Sequence, residues 1–107
     1  MSINPEKLTG KWRLTKIVWE NGNDITYADT DNWTQYVINS DGTHQRYYHN
    51  NGIVHQMDSL QRLSIEEGNI FILQFDKPWF KIYSLDLHSM ILKMLSSDSY
   101  FYYRKIE

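Results

Sequence analysis

The residues able to do chemistry are few. The chain holds four histidines (His44, His49, His55, His88) and no cysteine. Without cysteine there are no disulfides, no thiolate catalysis and no Cys-based zinc or iron–sulfur site. A histidine metal site needs three or four converging ligands. His44 and His49 fall near one hairpin, and His55 comes beside His49 if it pairs with Tyr48, but no carboxylate accompanies them. They read as surface or hairpin-end residues. Asp29-Thr30-Asp31 opens like a calcium loop, yet the glycine at its sixth position and the glutamate at its twelfth are missing. It reads as a loop that hydrogen-bonds to itself. Glu66-Glu67 sits at a turn, where a solvated pair is the normal outcome. There is no Gly-x-Ser-x-Gly, phosphate loop or dinucleotide fingerprint. Asn32-Trp33-Thr34 is a glycosylation sequon, with meaning only in a secretory route. The chain is therefore expected not to be an enzyme, and no metal or cofactor is assigned.

Ligand binding is the chemistry that remains. Eight Tyr and four Met in 107 residues suit a wall that is apolar with polar points, since tyrosine buries well where its hydroxyl finds a partner and methionine fills gaps. Lys16 adds a cation. If Trp12, Leu14 and Val18 point inward, strict alternation turns Lys16 inward too, either to hold a carboxylate or, near a cavity mouth, to reach back to water.

The elements that must position these residues are strands. Asn4-Pro5 fits a helix start and Gly10 the residue past its end, so residues 4–9 read as a short helical turn, with an ordered extended arm as the alternative. Then apolar and aromatic stretches recur between turn dipeptides: Asn21-Gly22, Asp41-Gly42, Asn51-Gly52, Glu67-Gly68, Lys77-Pro78 and Ser97-Asp98. Eight strands follow, over Lys11–Trp19, Trp33–Asn39, Thr43–His49, Ile53–Ile65, Asn69–Phe75, Trp79–Leu85, Ser89–Leu95 and Ser99–Ile106. They leave no room for crossover helices, so a parallel α/β sheet is excluded. Ser59–Ile65 alone has some helical spacing. Closing eight strands into a barrel removes both open edges and leaves a bore that side chains fill or that holds one small ligand.

Two-residue loops would set the faces. Around Asp41-Gly42, Tyr36 and Ile38 then share a face with Gln45 and Tyr47, leaving His44 and Arg46 outside. Around Glu67-Gly68, Leu63 pairs with Ile72, Ile65 with Ile70 and Ser64 with Phe71. Around Ser97-Asp98, Leu92 faces Tyr103 and Met94 faces Phe101. The expected ligand-lining set is Lys16, Tyr36, Ile38, Tyr47, Phe71, Leu92, Met94 and Tyr103.

Composition fits one such domain spanning residues 1–107, with residues 1–10 as lead-in. The chain is 41% hydrophobic and 15% aromatic, enough for a core and too much for intrinsic disorder. Net charge is −2, from 11 basic and 13 acidic residues, so no basic field favours nucleic acid. No apolar run approaches the roughly 20 residues that span a bilayer, and Met1–Glu6 is no signal peptide. The chain as it stands is expected to be soluble and cytoplasmic, or periplasmic or secreted if a leader was removed.

Several motifs carry a family likeness. Leu8-Thr9-Gly10-Lys11-Trp12-Arg13-Leu14 resembles the opening of lipocalin-like domains, with its Gly-x-Trp. Val37-Ile38-Asn39-Ser40-Asp41-Gly42-Thr43 is similar to a hairpin of compact bacterial lipocalin-like proteins of the calycin superfamily. Leu85–Leu92 and Tyr102–Ile106 resemble their last two strands. The resemblance implies an eight-stranded antiparallel up-and-down barrel stoppered by Gly10 and Trp12, with Arg104 against the Trp12 indole. It also implies a tendency to bind small hydrophobic or amphipathic molecules. The chain departs from the family in its shortness, its missing disulfide and its lack of an export signal.

Three functions compete. The first is non-enzymatic binding of a small hydrophobic or amphipathic ligand inside the barrel. The second is a solid-core protein-interaction module, of inhibitor or immunity type, anchored by exposed Trp19, Trp33 and Trp79. The third is a barrel enzyme, which would need a convergent acid–base group, with only Lys16 and the tyrosines as candidates.

Overall fold

The computed structural model describes residues 5–26, 31–57, 60–66, 69–74 and 77–107. Pro5–Leu8 forms a single 3-10 turn, as the Asn4-Pro5 signal implies, and everything regular after it is strand. Among the described residues there are ten strands, two more than expected. They are β1 Gly10–Val18, β2 Asp24–Thr26, β3 Asn32–Ile38, β4 Thr43–Asn50, β5 Ile53–Gln56, β6 Gln61–Glu66, β7 Asn69–Gln74, β8 Lys77–Leu85, β9 Ser89–Met94 and β10 Tyr100–Lys105. The additions are β2, a short flap after Asn21-Gly22, and β5. The stretch 53–65, expected as one strand, is two: β5 ends at Gln56 and β6 begins at Gln61. Lys77-Pro78, expected as a turn, begins β8: Pro78 pairs with Leu73 beside a register break, a place that tolerates its missing N–H.

All pairing is antiparallel, in the order β10-β9-β8-β7-β6-β4-β3-β1-β2, with β5 on β4 and a further pairing of β10 with β1. β6 is the weak link. Gln61 and Arg62 pair with β4, whereas Leu63 to Glu66 pair with β7, so the strand is shared between two partners along its length.

Loop length decides which face each side chain takes. Asn51-Gly52 is the expected two-residue turn, with both φ positive (49° and 86°), and Tyr48 lies opposite His55. Leu63–Ile72, Ser64–Phe71 and Ile65–Ile70 pair as expected. The Asp41-Gly42 turn differs. Asn39 N–H donates to the Thr43 carbonyl (2.8 Å) and Gly42 N–H to that of Asn39 (3.1 Å). Ser40-Asp41-Gly42 is thus a three-residue loop ending in Gly42 at φ 86°, a form that adds one residue. Ile38 lies opposite His44 and Tyr36 opposite Arg46. His44 and Arg46 therefore join the face of Tyr36, and Tyr47 goes to the other, the reverse of the expected assignment. The β9–β10 loop has four residues, since Met94 N–H reaches the Ser99 carbonyl (2.9 Å). Leu92 consequently pairs with Phe101 and Met90 with Tyr103. A shift of two changes partners but keeps faces.

The core is one cluster, with Trp12, Tyr36, Ile38, Ile70, Ile82, Met90 and Leu92 nearly or wholly buried and Leu63, Met94 and Phe101 packed against it. Leu8 seals one end: it is fully buried, and its carbonyl accepts the Trp12 indole N–H at 2.8 Å. Gly10 follows at φ 141°, with the Glu107 carbonyl 2.6 Å from where a Cβ would stand.

Candidate functional site

The 3-10 turn, the β3–β4 loop and β6 border an open cavity of about 390 Å³, lined by Glu6, Thr9, Ile38, Asn39, Ser40, Gly42 and Leu63. Each wall has a local cause. The turn is held down by Leu8 and its bond from Trp12. The loop is held in shape by Asp41, whose carboxylate accepts the Thr43 N–H (3.0 Å) and the Thr43 hydroxyl (2.5 Å). These bonds, with help from Arg62, keep the Asp41 pKa below the ordinary carboxylate value. β6 is drawn against the loop by the Leu63 N–H, which donates to the Gly42 carbonyl at 2.8 Å. Ile38, 2% exposed, and Leu63 form an apolar floor continuous with the core. Glu6, Thr9, Asn39 and Ser40 supply the polar side. A mostly apolar recess with a few polar groups is what small-molecule sites generally look like, and about 300–1,000 Å³ is their usual size.

Few of the expected lining residues meet there. Ile38 borders the cavity. Tyr36, Leu92 and Tyr103 are core: the Tyr36 and Tyr103 rings meet edge-on at 5.8 Å, and the Tyr36 hydroxyl bonds to His44 Nδ1 at 2.7 Å. Met94 packs on that core. Tyr47, on the opposite face, donates its hydroxyl to Gln45 Oε1 at 2.6 Å. Lys16 is also on the outside. A bulge between Leu14 and Lys16 reverses alternation, so Ile17 is buried instead, while Lys16 lies over the Tyr102 ring (5.5 Å) and 3.7 Å from Asp24. Phe71 pairs with Ser64 through its backbone, but its side chain lies outside the described residues, as do Glu67, Asp29 and Thr30. Trp12 is fully buried, and the cation over its ring is Lys105, 5.4 Å from the centroid. Arg104 is exposed and pairs with Arg13 on the other face, because the register sets Trp12 opposite Lys105.

Sequence reasoning missed His44. It was expected to be solvated but is 4% exposed. It also missed the part that Thr9, Asn39 and Ser40 play around the cavity. The signal was the single extra residue in the Ser40-Asp41-Gly42 loop.

A second cluster lies on the outer face of β1, β3 and β4. The Arg13 guanidinium sits 4.7 Å over the Trp33 ring, and Trp33 stacks on His49 at 3.9 Å and 9°. His49 Nε2 bonds to Gln35 Oε1 at 2.7 Å. Partial burial, and then the charge of Arg13, lower the His49 pKa from its ordinary value. This ladder holds Trp33 half-buried, not free as an anchor. Among the described residues no group of three or more His, Asp or Glu is placed to hold a metal ion.

No known family, curated protein or solved structure gives a significant match to the chain.

Proposed function

We propose that the chain is a lipocalin-like, non-enzymatic binder of a small amphipathic molecule. In this reading β1, β3, β4, β6, β7, β8, β9 and β10 are the eight staves of an up-and-down barrel, with β2 and β5 as appendages. The β1–β10 pairing supports it, as does the stopper formed by Leu8 and Trp12; the split pairing of β6 is where the wall is thinnest. The bore itself is largely occupied by Tyr36, Leu92, Met90 and Tyr103, so the ligand site moves to the end under the 3-10 turn. The apolar part of the ligand lies on Ile38 and Leu63, and its polar part meets Thr9, Asn39 and Ser40.

The cavity of about 390 Å³ with its Ile38–Leu63 floor carries this reading. Its test is a thermal-shift panel of fatty acids, retinoids, haem and flavins. A ligand at about 100 times its Kd adds roughly 2.7 kcal/mol, and about 1 kcal/mol moves the Tm of a domain this size by roughly 4–8 °C. A binder therefore raises the Tm clearly, and Ser40→Trp, at the cavity's polar side, weakens it at least about tenfold, roughly 1.4 kcal/mol. A panel that leaves the Tm unmoved removes the proposal.

One observation favours the interaction module instead. Trp19 and Trp79 are 36% and 45% exposed, as interface anchors would be. A protein partner captured by the wild type and lost with Trp79→Ala supports that reading.

A further inference from the structure

Strand β5 has one strand neighbour, β4, among the described residues, and each of its four residues is exposed. Ile53 is 62% exposed and Val54 53%; Met57 and Leu60, just beyond, are also open. Sheet edges are usually guarded by lysine, proline or a bulge. From Tyr47 to Met57 this chain has no Asp, Glu, Lys, Arg or Pro, and the β4–β5 register runs without a break. The β2 edge is different: three residues long, with Asp24 close to Lys16.

Hydrogen-bond parity shows what the β5 edge offers. A two-residue turn makes the flanking pair, here Asn50 and Ile53, the bonded one. His55 is then bonded to Tyr48 in turn, and Met57 N–H indeed donates to the Arg46 carbonyl at 2.9 Å. The N–H and C=O of Val54 between them point away from β4.

We infer that the chain self-associates as a symmetric dimer through β5, the two strands pairing antiparallel about a twofold axis at Val54. The partner is a second copy because an antiparallel edge is complementary to itself. An edge without charges opposes no like charges on self-pairing and gives no handle for selecting an acidic or basic peptide. At the axis the two Val54 residues exchange both backbone hydrogen bonds, and each Ile53 comes opposite His55 of the second copy. The pairing joins two sheets into one and covers Ile53 and Val54. It uses none of the residues around the proposed ligand cavity.

The absence of native cysteine makes the test clean. Paired residues of this kind have Cα atoms about 5.5 Å apart, within the roughly 4.4–6.8 Å a disulfide spans. Val54→Cys is expected to give a single covalent dimer under mild oxidation, whereas Ile25→Cys on the β2 edge stays monomeric. Wild-type protein is expected to sediment at twice the chain mass, and Val54→Lys, which still unfolds in one cooperative thermal transition, at the chain mass. Three outcomes overturn the inference. They are a wild type monomeric at every soluble concentration, a Val54→Cys cross-link no stronger than that of Ile25→Cys, and a β5 edge that binds only a foreign peptide and leaves the chain monomeric.

Discussion

His49 is the side chain whose setting has the plainest solution consequence. Stacked under Trp33 with Arg13 on the ring's other contact, it is held toward its neutral form, below the ordinary value of 6.5. The unfolded chain therefore binds more protons at this site than the folded one as pH falls below about 6.5. Stability rises with pH through the window from the lowered folded value up to the unfolded value, and is lost on acidification through it. Urea midpoints at the two ends of that window should differ in the wild type, and the difference should shrink in His49→Gln, which can still bond to Gln35. A ring titration by NMR at or above the unperturbed value would sink this account. The composition of the ladder was visible in the sequence only as scattered residues, because what joins Arg13, Trp33 and His49 is pairing of β1 and β4 with β3.

At the level of strands and turns, parity separates what could be read in advance from what could not. Asn51-Gly52 carries a two-residue loop, and the strands flanking residues 67–68 pair in the expected register, so both pairings follow from dipeptide chemistry alone. Asp-Gly at residues 41–42 is also used by the longer loop, with glycine in its left-handed last position, and nothing local distinguishes the two forms. That single residue moved Tyr47 out and His44 in. The bulge at Leu14–Lys16 did the same to Lys16. By contrast the two extra residues in the β9–β10 loop left Leu92, Met94 and Tyr103 on the expected face. The all-antiparallel strand class was legible; the two extra strands, and parity past an unrecognised extra residue, were not. The argument also runs forward. Replacing Ser40-Asp41-Gly42 by Asn-Gly would impose the two-residue register and bring Gln45 and Tyr47 round to the core side, in place of His44. Burying polar groups without partners costs about 1–3 kcal/mol each, so this variant should lose at least about 3 kcal/mol in a urea titration. Equal stability would show that β4 does not have a fixed face.

For the molecule as a whole, the β1–β10 pairing matters most. Six positions of β10 lie along β1, from Trp12 with Lys105 to Val18 with Tyr100. Beyond them, Lys11 N–H donates to the Glu107 carbonyl (2.9 Å) and Ile106 N–H to that of Lys11 (2.8 Å). Tyr103 and Phe101 bring aromatic area to the core from this strand. A chain ending at Ser99 should therefore lose its cooperative thermal transition and its near-ultraviolet dichroism, where trimming only Glu107 should keep both. A truncated chain that still melts sharply would mean that the other strands close a core unaided. Contacts between such distant parts of the sequence also make folding slow, on the order of milliseconds to seconds.

The same pairing sets a timetable for biosynthesis. β1 leaves the ribosome before the nine strands described after it, yet the strand that covers one of its edges, β10, follows all the others described. Until then Trp12 and Ile17 belong to an unfinished sheet exposed to the cell, so a nascent chain stalled short of Tyr100 presents a ready substrate for holding chaperones and proteases.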